Sequence, residues 1–160
     1  MKFQPSRNYV SNDVVMTPTH LAKAVVEHFK PSGTILELCC GDGSFLNLMP
    51  GAEWCEITKG RDFLLHTETI HYDWIVTNPP WSKIREFLRK SFLLADNIVF
   101  LMTVNHVFTK ARMKMMFDSG FGLREILLFD MPKEFPQSGF QLGAIHYKRG
   151  WQDECAITRV

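Results

Sequence analysis

The 160-residue sequence predicts an α/β domain with a mainly parallel sheet that ends in an antiparallel hairpin. Three observations carry this expectation. Short apolar runs alternate with amphipathic helical patterns, the arrangement that lays helices on the faces of a parallel sheet. The last two runs, Arg124–Phe129 and Leu142–Tyr147, have no helical pattern between them. A parallel crossover is long and usually helical, so these two are expected to pair antiparallel across a long loop. The chain length suits a single domain (residues 1–160) with one core, spanning about 9–150 and followed by a short tail at 151–160.

In chain order, residues 19–29 (THLAKAVVEHF) put Leu21, Ala24, Val25 and Phe29 on one helical face. Thr17-Pro18-Thr19 supplies a start signal, with Pro18 near the first turn. Thr34–Cys40, Ala52–Ile57 and Trp74–Thr77 read as short buried strands. Ile84–Leu94 is an amphipathic helix, Asn97–Val104 a central strand and Ala111–Phe117 a further helix.

Composition is that of a globular protein, with 46% hydrophobic and 22% charged residues. The first sixteen residues hold no continuous apolar stretch, and NIVFLMTV is too short to span a bilayer, so a cytoplasmic protein without a membrane association is expected. Cys39, Cys40, Cys55 and Cys155 form no CxxC pair, so no metal site is expected and reduced thiols fit the pattern. Net charge is only +1, but Lys83, Arg85, Arg89 and Lys90 form one basic cluster, and Lys110, Arg112 and Lys114 another. On charge alone, each cluster reads as a solvated helix face.

The run from Glu37 to Gly43 (ELCCGDG) is a strand that ends in a glycine turn, with the pattern ExxxGxG. Missing side chains at Gly41 and Gly43 let a ligand approach the backbone. Glu56 closes the second strand nineteen residues after Glu37, where doubly wound folds place a carboxylate that accepts from ribose hydroxyls. Asp62-Phe63 follows six residues later, pairing an acceptor with an aromatic face.

The most informative string is Asn78-Pro79-Pro80-Trp81 at the end of a buried strand. Two prolines lock the backbone and remove two N–H donors, leaving outward carbonyls, and Asn78 adds an amide oxygen. The outcome is a rigid set of acceptors beside an indole, suited to a planar amino group. Two hydrogen bonds from that group would draw its lone pair out of conjugation and aim it at an electrophile.

These residues resemble the N6-adenine branch of the S-adenosylmethionine-dependent amino-methyltransferases, whose motif is Asp/Asn/Ser-Pro-Pro followed by an aromatic residue. The motif order, with Thr17-Pro18 first, the glycine turn next and NPPW last, is similar to that of the gamma group, over roughly residues 9–150. The resemblance implies a Rossmann-like class I methyltransferase fold and S-adenosylmethionine as cofactor. It implies cofactor contacts from Thr17, Pro18, Glu37, Cys39, Gly41, Gly43, Glu56, Asp62, Phe63 and Asn78. It implies catalysis by Asn78, Pro79, Pro80 and Trp81. The activity it implies is transfer of a methyl group to N6 of adenine in DNA, on a base flipped out of any duplex.

Two departures stand out. Glu56 and Asp62 are too close to hold the strand and helix that usually separate these positions, so one unit after the second strand is expected to be shortened. No stretch is long enough for a target-recognition domain, so specificity is expected to be loose, to come from short loops or to be supplied by a partner, and a homodimer or a specificity partner is the expected assembly. Lys83, Arg85, Lys110 and Arg112 follow two strand ends, where basic groups hold phosphates without reading sequence. Phe135 and Phe140 in the hairpin loop both remain open as a second wall for the base. Rival readings are an RNA adenine methyltransferase, a protein glutamine methyltransferase, and a non-catalytic subunit of the same fold. A C5-cytosine enzyme is disfavoured because no nucleophilic Cys follows the prolines.

Overall fold

A computed structural model describes residues 13–67 and 70–160. The expected core boundary at residue 9 lies outside these. The described elements are α1 (Thr19–Phe29), β1 (Ile35–Glu37), β2 (Glu53–Trp54), β3 (Tyr72–Thr77), α2 (Ile84–Leu94), β4 (Ala95–Thr103), α3 (Lys110–Asp118), β5 (Phe121–Phe129), β6 (Leu142–Arg149) and β7 (Ala156–Arg159), with four 3-10 turns between them. One sheet holds all seven strands in the order β2-β1-β3-β4-β6-β5-β7. β1 pairs parallel with β2 and β3, and β3 with β4. Only β6 runs against its neighbours, wedged between β4 and β5. The parallel sheet closing in an antiparallel hairpin is therefore as the sequence predicts.

Both faces of the centre are covered, which explains the uninterrupted apolar run in β4. Alternate side chains point to opposite faces. Ile98, Phe100 and Met102 pack with Ile84, Phe87 and Phe92 of α2. Val99 and Leu101 pack with Leu21, Val25 and Phe29 of α1. His146 of β6 is buried beside Phe29 and Trp74 and donates from Nε2 to Asn97 Oδ1 at 3.0 Å. Burial, with Arg124 and Lys148 nearby, pushes its imidazole down to about 3, so it is neutral in the core.

The shortened unit is visible after β2. Glu56 and Arg61 exchange backbone hydrogen bonds of 2.9 and 3.0 Å, closing a tight loop around Gly60. Among the described residues no α-helix lies between β2 and β3, and β2 forms the sheet edge. Most strand boundaries differ from expectation by a few residues; the strand expected over Ala52–Ile57 is reduced to Glu53–Trp54, which leaves Glu56 in the turn beyond it. The strand expected over Thr34–Cys40 ends at Glu37, because the chain turns out of the ladder there, although Cys40 N still donates to Cys55 O at 3.0 Å. The expected tail at 151–160 contains β7, which lies parallel to β5 at the opposite edge.

Candidate functional site

The C-terminal ends of β1, β3 and β4 open at one edge of the sheet, the ligand-binding edge of open α/β folds. After β1 the backbone enters the glycine turn, where Gly41 has φ +49° and Gly43 φ +95°. That region is costly for residues with a Cβ. A Cβ on Gly41 would lie 3.0 Å from Met16 Sδ, so the turn is also closed over by the segment before α1. Gly43 N donates to Cys40 O at 2.7 Å, and Gly43 is itself buried.

Two carboxylates brace this turn. Glu37 is buried, and accepts from Cys39 N at 3.0 Å and from the Thr77 hydroxyl. Burial pushes its carboxyl up to about 7, against the lowering effect of those donors. Glu56 Oε2 accepts from Gly41 N at 2.8 Å. Its Oε1 accepts from Thr58 N and Oγ1 at 3.1 and 2.8 Å, capping the turn that follows. Burial alone would raise Glu56, but the Thr58 and Gly41 donors outweigh it and hold the carboxyl below its usual range. A carboxylate has about four lone-pair sites, two on each oxygen, so Oε1 is filled by Thr58 and Oε2, with one donor, keeps capacity for a hydroxyl donor.

After β3, Asn78 Nδ2 donates to the Val15 carbonyl at 3.3 Å and to Thr17 Oγ1 at 3.1 Å. The Val15 carbonyl only accepts, which fixes the nitrogen on that side and the amide oxygen on the other. Neither Asn78 Oδ1 nor the Pro79 carbonyl has a hydrogen-bond donor among the described residues. The Pro80 carbonyl accepts from Lys83 N at 3.0 Å and closes the turn. Trp81 is half-buried, with its Nε1–H on Leu101 O at 3.2 Å and its ring 5.7 Å from Phe135 at 31°.

Two cavities meet at this strand end. The larger, about 290 Å³, is lined by Asn78, Pro79, Trp81, Ser82, His106 and Phe140, among others. The smaller, about 30 Å³, is lined by Met16, Thr17, Cys39, Gly41, Asp42 and Asn78, among others. Only Val15 and Asn78 line both. Thr17 is thus brought to the junction, while the Pro18 carbonyl caps α1 by accepting from Leu21 N and Ala22 N at 3.0 and 3.1 Å.

Other expected site residues are placed differently. The Phe63 ring is 2% exposed, against Phe87 and beneath Lys90, so it offers no open face. Its core packing follows from the shortened unit, which folds this loop down onto α2. Asp62 Oδ1 accepts from Leu64 N at 2.9 Å. Exposed Ile57, beside Glu56, is the apolar side chain on the outside of that turn. Of the two phenylalanines left open, Phe140 lines the larger cavity, whereas Phe135 is buried behind Trp81. The basic clusters also divide. Lys83, Arg85 and Lys110 are exposed. Arg112 is half-buried and donates to the His106 carbonyl at 3.0 Å and to His106 Nδ1 at 3.3 Å, so it braces a loop rather than facing solvent. Lys90 bonds to the Phe63 and His66 carbonyls. Sequence reasoning passed over His106 and the Asp13–Ser82 contact that ties the first described residues across the cavity. A polar pair after the central strand, Asn105-His106, was the available signal for His106.

No protein family and no curated protein matches the chain by sequence. Among solved structures, it is similar to a candidate class I S-adenosylmethionine-dependent methyltransferase from Listeria monocytogenes, with TM-score 0.65 and 11% identity, over 96% of this chain and 68% of that one. It is similar to a candidate RNA methyltransferase from Pyrococcus horikoshii, with TM-score 0.58 and 12% identity, over 84% and 82% of the two chains. It also resembles the modification subunit of a candidate type I restriction enzyme from Vibrio vulnificus, with TM-score 0.63 and 13% identity, over 91% of this chain but only 47% of that subunit. The chain thus has the Rossmann-like fold of class I methyltransferases.

Proposed function

We propose that this protein is an S-adenosylmethionine-dependent methyltransferase that modifies the N6 amino group of adenine in DNA. The observation that carries this reading is Asn78. Its amide oxygen has no donor among the described residues, and it sits where the glycine-turn cavity meets the larger one. The residues around the glycine turn fit the cofactor, with Gly41 lining the smaller cavity and Thr17 and Asp42 beside it. Glu56 keeps acceptor capacity for ribose, and Ile57, in place of Phe63, offers an apolar cover for the adenine ring. When bound, the cofactor supplies an activated methyl group. Asn78 Oδ1 and the Pro79 carbonyl then accept the two hydrogens of the target amino group, and orient its lone pair. Trp81 and Phe140 hold the planar base between them.

Structural likeness to restriction-modification subunits supports a DNA substrate, and exposed Lys83, Arg85 and Lys110 suit a phosphate backbone. The test uses paired oligonucleotides that differ at one base, adenine against purine, which lacks the amino group. Labelled cofactor should mark only the adenine strand. Equal labelling of both strands would refute the N6 assignment.

A further inference from the structure

Asn78 and Pro79 recognise an amino group, but an amino group alone does not define adenine. His106 is placed to add a second contact: its imidazole lines the same cavity, on the turn after β4. Arg112 Nη1 donates to His106 Nδ1 at 3.3 Å and to the His106 carbonyl at 3.0 Å. A guanidinium never accepts, so Nδ1 must be the acceptor and the ring proton is fixed on Nε2. Nε2 has no partner among the described residues. Burial, and then the Arg112 charge, hold the imidazole below its usual range, which keeps it neutral with that tautomer at ordinary pH. The ring is inclined at 56° to Trp81, with centroids 6.2 Å apart, so it does not itself stack parallel on the indole.

We propose that His106 Nε2–H donates to the ring nitrogen beside the target amino group, making it a specificity-determining residue for an amino group flanked by an acceptor. Arg112 is then a positioning residue that acts through the tautomer. This inference rests on the adenine reading above and deepens it. In adenine the flanking acceptors are N1 and N7, and a lysine ammonium or an aniline-type amine has neither.

The experiment uses unmodified protein first, with oligonucleotides carrying 1-deazaadenine or 7-deazaadenine at the target position. Each analogue keeps the amino group and deletes one acceptor. One of them should be methylated on the order of tenfold more slowly than adenine, the effect of one net hydrogen bond. His106→Phe should then methylate adenine on the order of tenfold more slowly and treat that analogue like adenine. His106→Gln, which keeps an N–H donor, should recover part of the difference. Cofactor affinity by calorimetry should stay unchanged throughout. Equal rates on adenine and both analogues by the unmodified protein, or unaltered discrimination in a folded His106→Phe variant, would overturn this inference alone. Failure to methylate adenine in any form would overturn the adenine reading, and this inference with it.

Discussion

Replacing Asn78 with Ala tests both the bracing contacts of this side chain and its proposed role toward the substrate. The substitution deletes Oδ1, the proposed acceptor for the substrate amino group, and both Nδ2 contacts, at 3.3 Å to Val15 O and 3.1 Å to Thr17 Oγ1. Loss of a preorganised acceptor lowers the rate by on the order of 10²–10³, about 2.7–4 kcal/mol. Loss of two neutral, part-buried hydrogen bonds costs roughly 0.5–1.5 kcal/mol each, and loosens the segment over the glycine turn. Asn78→Asp tests the division. It keeps an oxygen toward the substrate but puts a second one opposite the Val15 carbonyl, which cannot donate. The Thr17 hydroxyl can turn to serve that oxygen, so Asp should fall between Ala and the wild type. Single-turnover rates at saturating cofactor give the chemical effect; calorimetry and thermal melting give the structural one. A folded Asn78→Ala protein that transfers methyl groups at the wild-type rate would refute the reasoning.

Three further outcomes are expected. Gly41→Ala forces a Cβ at φ +49°, costing about 1–2 kcal/mol, and pushes Met16 from 3.0 Å, so cofactor affinity should fall on the order of tenfold. Gly51→Ala, at φ +82° with nothing within 4 Å of its Cβ, should lower thermal stability similarly and leave affinity alone, as calorimetry would show. Neutralising Lys83, Arg85 and Lys110 together should flatten the salt dependence of DNA binding by up to about 2.7 in log–log slope, at roughly 0.9 per phosphate contact. Arg112→Gln should leave that slope unchanged. Burial raises the Glu37 carboxyl from its ordinary 4.5 to about 7, so the folded state holds a proton that the unfolded chain has lost, and its contribution declines as pH rises through that window. His146, lowered to about 3, acts in the opposite sense, losing stability as pH falls below 6.5. Unfolding curves of Glu37→Gln from pH 4.5 to 6.5 should therefore rise with pH more steeply than those of the wild type.

Where local pattern and burial agree, the sequence is sufficient. α2 spans Ile84–Leu94 as its periodicity predicts, because its apolar stripe is also its packed stripe. The hairpin followed from missing helical periodicity between two strands. β7 escaped notice because all four of its residues are exposed, so it has no alternating pattern to read. Long charged side chains were the least legible. Lys90 and Arg112 share sequence clusters with exposed Lys83 and Lys110, but each reaches carbonyls of a neighbouring loop that only the tertiary fold brings near. The same holds for aromatics. Phe135 and Phe140 lie in one loop, and packing against Trp81 buries the first and leaves the second at the cavity. The Asn78 turn was legible because its chemistry is local, set by two adjacent prolines and one amide.

The most direct test of the central claim is product identification. The protein is incubated with labelled S-adenosylmethionine and separate pools of DNA, RNA and protein, and each pool is then digested and analysed. The account predicts label in DNA, recovered as N6-methyldeoxyadenosine and lost in Asn78→Ala. Label recovered in RNA or on glutamine would contradict the substrate assignment, and no label in any pool would contradict the enzyme itself.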